Sequence, residues 1–302
     1  AIPIIPNIGS ASGFAIYISD KDKWLFSIPG VPKEMKDMME TSVINKILNI
    51  QNSKKENSER ILKKVLLTTG ISESEIEEKI RDIYKSALGL GAEIGITASP
   101  GLVRLILISR SFSDKKNLEN IEKLKKKLYK KLKDYIYGEE NDLISESLKD
   151  TIEKSKSKIS ISAAESMTGG LVSEMITDVQ GSSKYFKGSI ISYSDFSKKE
   201  ILGIEAEIIN KFGAVSEQVC KSMASKAKEM FESDYSISIT GFAGPEADKN
   251  ENIGLTFIGI ALPDGNVNVF KMRFIGTRTE IKYRASQFAL NKLRLQIQKS
   301  YN

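Results

Sequence analysis

The sequence contains no histidine and one cysteine, Cys220. The first absence removes the Ser-His-Asp triad, the Cys-His pair and the commonest zinc ligand together, so a hydrolase built on this chain needs another base. Lysine is the candidate that remains, because burial and nearby positive potential lower an ammonium pKa toward neutrality. The lone cysteine excludes a disulfide within the chain. Long apolar runs are also missing. Even stretches such as Leu102 to Ile108 fall far short of the ~20 residues that span a bilayer. No signal peptide or transmembrane helix is legible, and a reducing, cytoplasmic compartment is the expectation.

What the chain does have is length and lysine. Its 302 residues suffice for two or three domains, since single cores stop growing near ~250 residues. The formal net charge of +6 points toward nucleic acid until it is located. Between Lys115 and Lys133 there are nine lysines against two acids, Glu119 and Glu122, an excess that accounts for the whole imbalance. Leu118, Ile121, Leu124, Leu128, Leu132 and Tyr135 recur there every three or four residues, which predicts an amphipathic helix with its lysines facing water. Tyr129 alone is aromatic among these lysines, too little for a run of base-stacking platforms, so nucleic acid is not the expected partner.

Short runs at Gly13 to Ile18 and Lys23 to Ile28 read as strands around the turn 19–22, followed by a Pro-Gly loop and a helix opened by Pro32. The polar stretch Gln51 to Glu59 reads as a linker. Next comes an α+β module: strand Arg60 to Thr68, the capping box Ser72/Glu75 with a helix face Ile76, Ile80, Ile83, Tyr84 and Ala87, strands Gly95 to Ala98 and Leu102 to Ser109, then the lysine helix. No Gly-x-x-Gly clamp for a nucleic-acid backbone occurs in it, so a structural role is expected. From Leu143 strands and helices alternate, with helices at 143–153, 171–176, 198–203, 217–232 and 279–298. The intervening strands fall at 159–163, 188–193, 235–240, 254–262 and 267–274. This is the pattern of a sheet covered on both faces, whose ligands collect at the carboxyl ends of the strands.

Several strand-end loops carry candidate chemistry. Ala164-Glu-Ser-Met-Thr-Gly-Gly170 follows a strand and opens a helix, so its N–H groups suit a phosphate or carboxylate, although an ordinary capped helix start reads the same way. Gly181-Ser182-Ser183 places two serines on a turn, where serine is common in any case. Tyr193-Ser-Asp-Phe-Ser-Lys198 leaves a strand with Ser197 as candidate N-cap, which puts Lys198 in the first helical turn. Exposed, it is a surface lysine. Buried, its charged form is disfavoured by both desolvation and dipole. Thr240-Gly-Phe-Ala-Gly-Pro245 offers glycines for close approach to a ligand, or simply a turn. Arg278, with Lys282 and Arg284 nearby, can hold a phosphate.

The ordered set AESMTGG, GSSKYF, YSDFSKKEILG, GAVSEQV, SITGFAGP and GTR resembles the C-terminal domain of the CinA family, the same domain as stand-alone nicotinamide-nucleotide amidase (PncC), over roughly Ile144 to Gln298. Residues 58–138, ending in YIYG, resemble the family's KH-type middle domain. Residues 1–48, with PNIGSASGF and PGVPKEM, resemble the tail of its molybdopterin-binding-like domain. The resemblance implies an α/β fold: a three-layer sandwich in residues 144–302, a small α+β KH-type domain in 58–138 and a partial α/β remnant in 1–48. It implies hydrolysis of nicotinamide mononucleotide to nicotinate mononucleotide and ammonia, without a metal or other cofactor, in a homodimer that touches no membrane. Carried onto this chain, it makes Ser183 the nucleophile and Lys198 the base, with Ser182 as the other serine of the pair and Ser166 and Tyr193 assisting. Thr168, Gly169, Gly170, Gly241, Ala243, Gly244 and Arg278 would hold the nucleotide. Met167 stands where the family has cysteine. The motifs expected of a complete N-terminal domain are missing upstream of Ala1, so ADP-ribose pyrophosphatase activity, with the divalent metal it would use, is expected only if such a domain is restored. A further alternative is a non-catalytic nucleotide-sensing or competence-related interaction protein.

Overall fold

The computed structural model describes residues 1–53, 59–155, 157–245 and 252–301. Most of the expected linker, residues 54–58, lies outside them. The chain divides into two compact units, residues 1–60 and 61–302.

In the first unit β1 (Ile2–Ile4), β2 (Gly13–Ile18) and β3 (Lys23–Ser27) form an antiparallel sheet in that order. Pro32 occupies the first turn of α1 (Pro32–Met38), as its fixed φ and missing N–H favour. A π turn at Met39–Val43 continues α1 into α2 (Ile44–Ser53). The core is small, consisting of Ile4, Ala15, Met38 and Val43 with Trp24 and Phe26 packed against it.

The second unit opens with β4 (Arg60–Thr68), α3 (Glu73–Gly89), β5 (Ala92–Ser99), β6 (Leu102–Ser111), α4 (Asp114–Leu132) and β7 (Ile136–Glu139). The strands form a sheet in the order β5-β6-β4-β7. Ser72 and Glu75 make the expected capping box. Ile76, Ile80 and Ile83 of α3 and Ile121, Leu124, Leu128 and Leu132 of α4 pack with Leu66, Leu105 and Leu107 of the sheet. Leu118 departs from the expected helix face and is 51% exposed. Asn117 and Asn120 take the buried positions instead. The Asn117 carboxamide oxygen accepts from Ser109 Oγ, and Asn120 Nδ2 donates to the Leu90 carbonyl and to Ser109 Oγ. Hydrogen bonding to a strand end and a helix end thus overrides the apolar period at the start of α4. Lys125 and Lys131 on α4 pair with Glu139 and Asp82.

The remaining elements are α5 (Ile144–Lys154), β8 (Ile161–Glu165), α6 (Leu171–Thr177), β9 (Phe186–Ile191), α7 (Ala206–Phe212), α8 (Glu217–Met230), β10 (Tyr235–Gly241), β11 (Leu255–Ala261), β12 (Val267–Arg273) and α9 (Arg278–Lys299). Their sheet has the order β12-β11-β10-β8-β9. β8 runs parallel to both β9 and β10, whereas β10, β11 and β12 are successively antiparallel. The sheet is therefore mixed, and β8 sits where the chain goes first to one side and then to the other.

Alternation along the strands sorts side chains to two covered faces. Ile161, Ala163, Ile237, Ile239, Ile258 and Ile260 pack with Ala285, Phe288, Ala289 and Leu293 of α9 and with residues of α5 and α6. On the other face Ser162, Ser236 and Ser238 donate to the carbonyls of Ala227, Ala224 and Cys220 of α8, and Thr240 donates to Ala214. These short hydroxyls let α8 lie close on the sheet while satisfying polar atoms away from water. The architecture is α/β, with helices on both faces of the C-terminal sheet. Gly259 lies under α8, where a Cβ would lie 2.5 Å from Ser238 Oγ of β10 and 3.2 Å from the Cys220 carbonyl of α8. Gly259→Ala is expected to lower unfolding free energy by about 1–3 kcal/mol, the usual cost of overpacking, measured by urea denaturation. An unchanged midpoint would contradict this packing.

Candidate active site

The carboxyl ends of β8, β9, β10 and β12 lie on one side of the sheet, as their parallel and antiparallel pairings require. The four loops that leave these ends carry AESMTGG, YSDFSK, TGFAGP and GTR. The crevice beside β8 is the topological switch point of the sheet, the place where α/β proteins bind ligands.

The loop after β8 is shaped by a carboxylate. Glu165, fully buried, accepts from the backbone N–H groups of Gly170, Val172 and Ser173 and from Ser173 Oγ. A negative charge at the head of α6 satisfies its unpaired N–H groups and complements its dipole. This arrangement folds the intervening residues into a tight turn, with Gly169 and Gly170 at positive φ. Ser166 emerges from the turn, 7% exposed, with its N–H bonded to the Ile239 carbonyl of β10. Met167 packs into the core behind Gly241, whose added Cβ would meet Met167 Sδ at 2.8 Å. Thr168 is buried and its Oγ1 has no hydrogen-bond partner among the described residues.

Ser194, not Ser197, heads the helical turn that follows β9. Ser194 Oγ accepts from the Ser197 N–H, and Ser197 Oγ accepts from the Ser194 N–H. The turn continues as a π segment, Ser197–Ile201, in place of the expected α-helix at 198–203. This shift of register turns Lys198 inward, and only 2% of it remains exposed. Its Nζ lies 2.9 Å from the Ser192 carbonyl, 3.3 Å from the Tyr193 carbonyl and 3.3 Å from Ser166 Oγ. Burial pushes the Lys198 pKa below its ordinary value, opposed by the Asp195 carboxylate.

Two of the three partners are carbonyl oxygens, which can only accept, and the third is a hydroxyl, which can accept from the amine or donate to it. Of the two readings open for Lys198, exposed or buried, the structure has the buried one.

Arg278, at the start of α9, ties two further loops together. One guanidinium nitrogen donates to the Gly244 carbonyl at 2.6 Å, and the other lies 3.0 Å from Tyr193 Oη. Thr277 caps this helix with Glu280 in a capping box. Lys282 Nζ comes within 3.8 Å of the position a Gly169 Cβ would take, a second cation beside the glycine turn. Ala243 is buried beneath the Gly241–Gly244 loop.

Ser182 and Ser183 are not part of this group. They lie in a 3-10 turn, Ser182–Lys184, ahead of β9, and the start of that strand pairs with the start of β8. Ser183 is therefore exposed at the amino end of the sheet, while Lys198 lies past the carboxyl end. The six residues of β9 span ~20 Å between them, so Lys198 cannot take the proton of Ser183 within one chain. Ser166, expected only to assist, is the hydroxyl at the amine. The signal that finds it is the acid-serine pair at a strand end ahead of Gly-Gly: the acid caps the helix and the serine faces the crevice.

An α/β sheet with a buried serine–lysine pair at its switch point defines the class of protein. Residues 142–297 match the CinA C-terminal domain, and residues 63–138 match the damage-inducible protein CinA KH domain. A CinA-like protein of Flavobacterium psychrophilum is 37% identical over 299 residues, covering 98% of this chain and 69% of its own. A CinA-like protein of Prochlorococcus marinus subsp. pastoris is 39% identical over 274 residues, covering 90% of this chain and 61% of its own. Among solved structures, the competence/damage inducible protein CihA from Agrobacterium tumefaciens is 31% identical over 52% of this chain and 96% of its own, with a TM-score of 0.48. The chain belongs to the CinA family, and it spans roughly two thirds of the length of these curated relatives. Among the described residues no helix is long and apolar enough to cross a membrane, and no cluster of three metal-ligating side chains occurs.

The lowered Lys198 pKa has a signed consequence for stability. Below the unfolded-state pKa the unfolded chain binds a proton that the folded chain resists, so the folded state loses stability as pH falls from that value toward the folded pKa. Relative to Lys198→Met, which cannot titrate, the wild-type protein is expected to gain stability as pH is raised from 7 toward 10 in denaturant titrations. A difference that is flat, or that slopes the other way, would contradict a depressed amine.

Proposed function

We propose that the chain hydrolyses the carboxamide of nicotinamide mononucleotide to nicotinate mononucleotide and ammonia, with Ser166 as nucleophile and Lys198 as base. One observation carries this reading: the Lys198 amine is desolvated and lies against a serine hydroxyl, with two carbonyls occupying its N–H bonds. A serine hydroxyl is a weak nucleophile until an adjacent base takes its proton, and this chain has no imidazole to do so.

In this scheme Ser166 Oγ attacks the carboxamide carbon as its proton passes to Lys198 Nζ. The carbonyl π electrons move to oxygen, and backbone N–H groups of the turn after Ser166 stabilise the oxyanion. When the oxyanion collapses the C–N bond breaks, and the Lys198 ammonium gives its proton to the departing nitrogen as ammonia. The acyl group is now an ester of Ser166. A water molecule that gives its proton to Lys198 attacks this ester, and collapse returns the proton to Ser166 Oγ with release of the carboxylic acid. No metal is needed for either half.

The nucleotide phosphate has suitable partners in Arg278, Lys282 and the turn Thr168, Gly169 and Gly170 at the head of α6. In this reading Tyr193, hydrogen-bonded to Arg278, borders the ring.

Purified protein is expected to release ammonia from nicotinamide mononucleotide in preference to nicotinamide or NAD. Ser166→Ala and Lys198→Met are expected to lower kcat by about 10³-fold or more, and Ser183→Ala to leave it within about three-fold. Arg278→Ala should act chiefly on KM. Ammonia release surviving Ser166→Ala, or lost on Ser183→Ala, would overturn the assignment.

A further inference from the structure

The charged surface of α4 takes no part in the amide chemistry, and the fold leaves it open. Of the lysines between Lys115 and Lys133, Lys125 meets Glu122 and Glu139, Lys131 meets Asp82 of α3, and Lys127 donates to Ser86 Oγ. Lys115, Lys116, Lys123, Lys126, Lys130 and Lys133 are exposed and have no ion-pair partner among the described residues. Lys123, Lys126, Lys127, Lys130 and Lys133 recur at three- and four-residue steps, which sets them along one side of the helix. Lys123, Lys126 and Lys127 also form, with Ser86, Gly89 and Leu90 at the end of α3, a groove of about 540 Å³ that no carboxylate lines.

Such a stripe weakens the helix that carries it. Like charges at i and i+4, as in Lys123/Lys127 and Lys126/Lys130, repel, and the helix dipole favours cations in the last turn alone, where it reaches Lys130 and Lys131. An anionic partner offsets that repulsion. The stripe is also long, because Lys115 to Lys133 rises about 27 Å along the helix.

The surroundings of the stripe select the partner. A protein interface has an apolar or aromatic centre and is poor in lysine, whereas the apolar residues of α4, Ile121, Leu124, Leu128 and Leu132, are fully buried in the module's own core. The same burial leaves α4 no apolar face to sink into a lipid surface. Phosphates in a row need neither, since lysine meets each as a point charge. The want of stacking rings removes recognition of bases and leaves the phosphates untouched. We infer that this face of α4 holds the phosphate backbone of a nucleic acid without reading its sequence.

The test is fluorescence anisotropy of labelled DNA duplexes of about 20 base pairs, in two unrelated sequences, titrated with the full chain at salt from about 50 to 200 mM. Dissociation constants of about 1–100 µM near 100 mM salt are expected, equal for the two sequences within about three-fold, with log K falling against log salt at a slope of about −3 to −5. Lys123→Gln, Lys126→Gln and Lys130→Gln together should weaken binding about ten-fold or more and flatten the slope by about two to three, with the far-ultraviolet circular dichroism spectrum unchanged. Lys33→Gln, Lys211→Gln and Lys221→Gln remove the same charge from exposed positions elsewhere and should weaken it less than about three-fold. Absence of binding at the lowest salt would overturn the proposal, as would preference for one sequence or an equal loss in the two triple variants. Tighter binding of polyglutamate, or of phosphatidylserine vesicles, at equal anionic charge would also overturn it and assign the face to an acidic protein or a membrane.

Discussion

The C-terminal site depends on keeping one amine away from water. Burial disfavours the charged form of an amine, and Lys198, with two carbonyls and a hydroxyl at hydrogen-bond distance, has its pKa pushed below the ordinary value against the opposing pull of Asp195. The surrounding fold serves that end. The Ser194/Ser197 cap and the π turn swing Lys198 inward, and the edge strand β9 delivers the two carbonyls. The Glu165 cap sets the turn that offers Ser166. In the proposed function, this buried amine takes the place that an imidazole would fill in a chain that had one.

The same economy runs through the sheet. Its α9 face is aliphatic, while its α8 face is lined by serine and threonine hydroxyls that bond helix carbonyls. A strand such as Tyr235–Gly241 can be hydroxyl-rich and still internal, because Ser236 and Ser238 trade a water hydrogen bond for one to α8 and Thr240 for one to Ala214. Close packing of α8 and α9 on the two faces holds β8 and β10 in register, and their ends carry Ser166 and the Gly241–Gly244 loop.

Much of this was legible from residue order. Strand alternation and helical periods gave β4, α3, β6 and α8 to within a few residues, since each is long, strongly patterned or explicitly capped. The short α7 and β7 and the three-residue β1 were not read, because elements of three to seven residues carry too few periods to stand out from loops. Leu118 was misplaced because buried asparagines at 117 and 120 leave no apolar signal. The missing histidine points to lysine as a residue type, but Lys198 itself is reached through the family resemblance, because the residues alone read equally as a surface lysine. Its hydroxyl partner differs from the expectation: the resemblance points to Ser183 and gives Ser166, in the helix-opening loop, only an assisting role, whereas Ser166 is the hydroxyl at the amine. Residue order already separates the other pair: GSS precedes β9 and YSDFSK follows it, so Ser183 and Lys198 sit at opposite ends of that strand.

The CinA family relation fixes what the chain is similar to, and the geometry at Ser166 supplies a chemical reading of it. That reading requires Lys198 to be uncharged in the resting protein at neutral pH. The most direct measurement is the ¹⁵N side-chain NMR titration of the lysines, with the Lys198 signal identified by its loss in Lys198→Met. The account requires that signal to titrate well below the other lysines and to be neutral in an appreciable fraction near pH 7–8. A Lys198 amine that titrates together with the solvent-exposed lysines would contradict it.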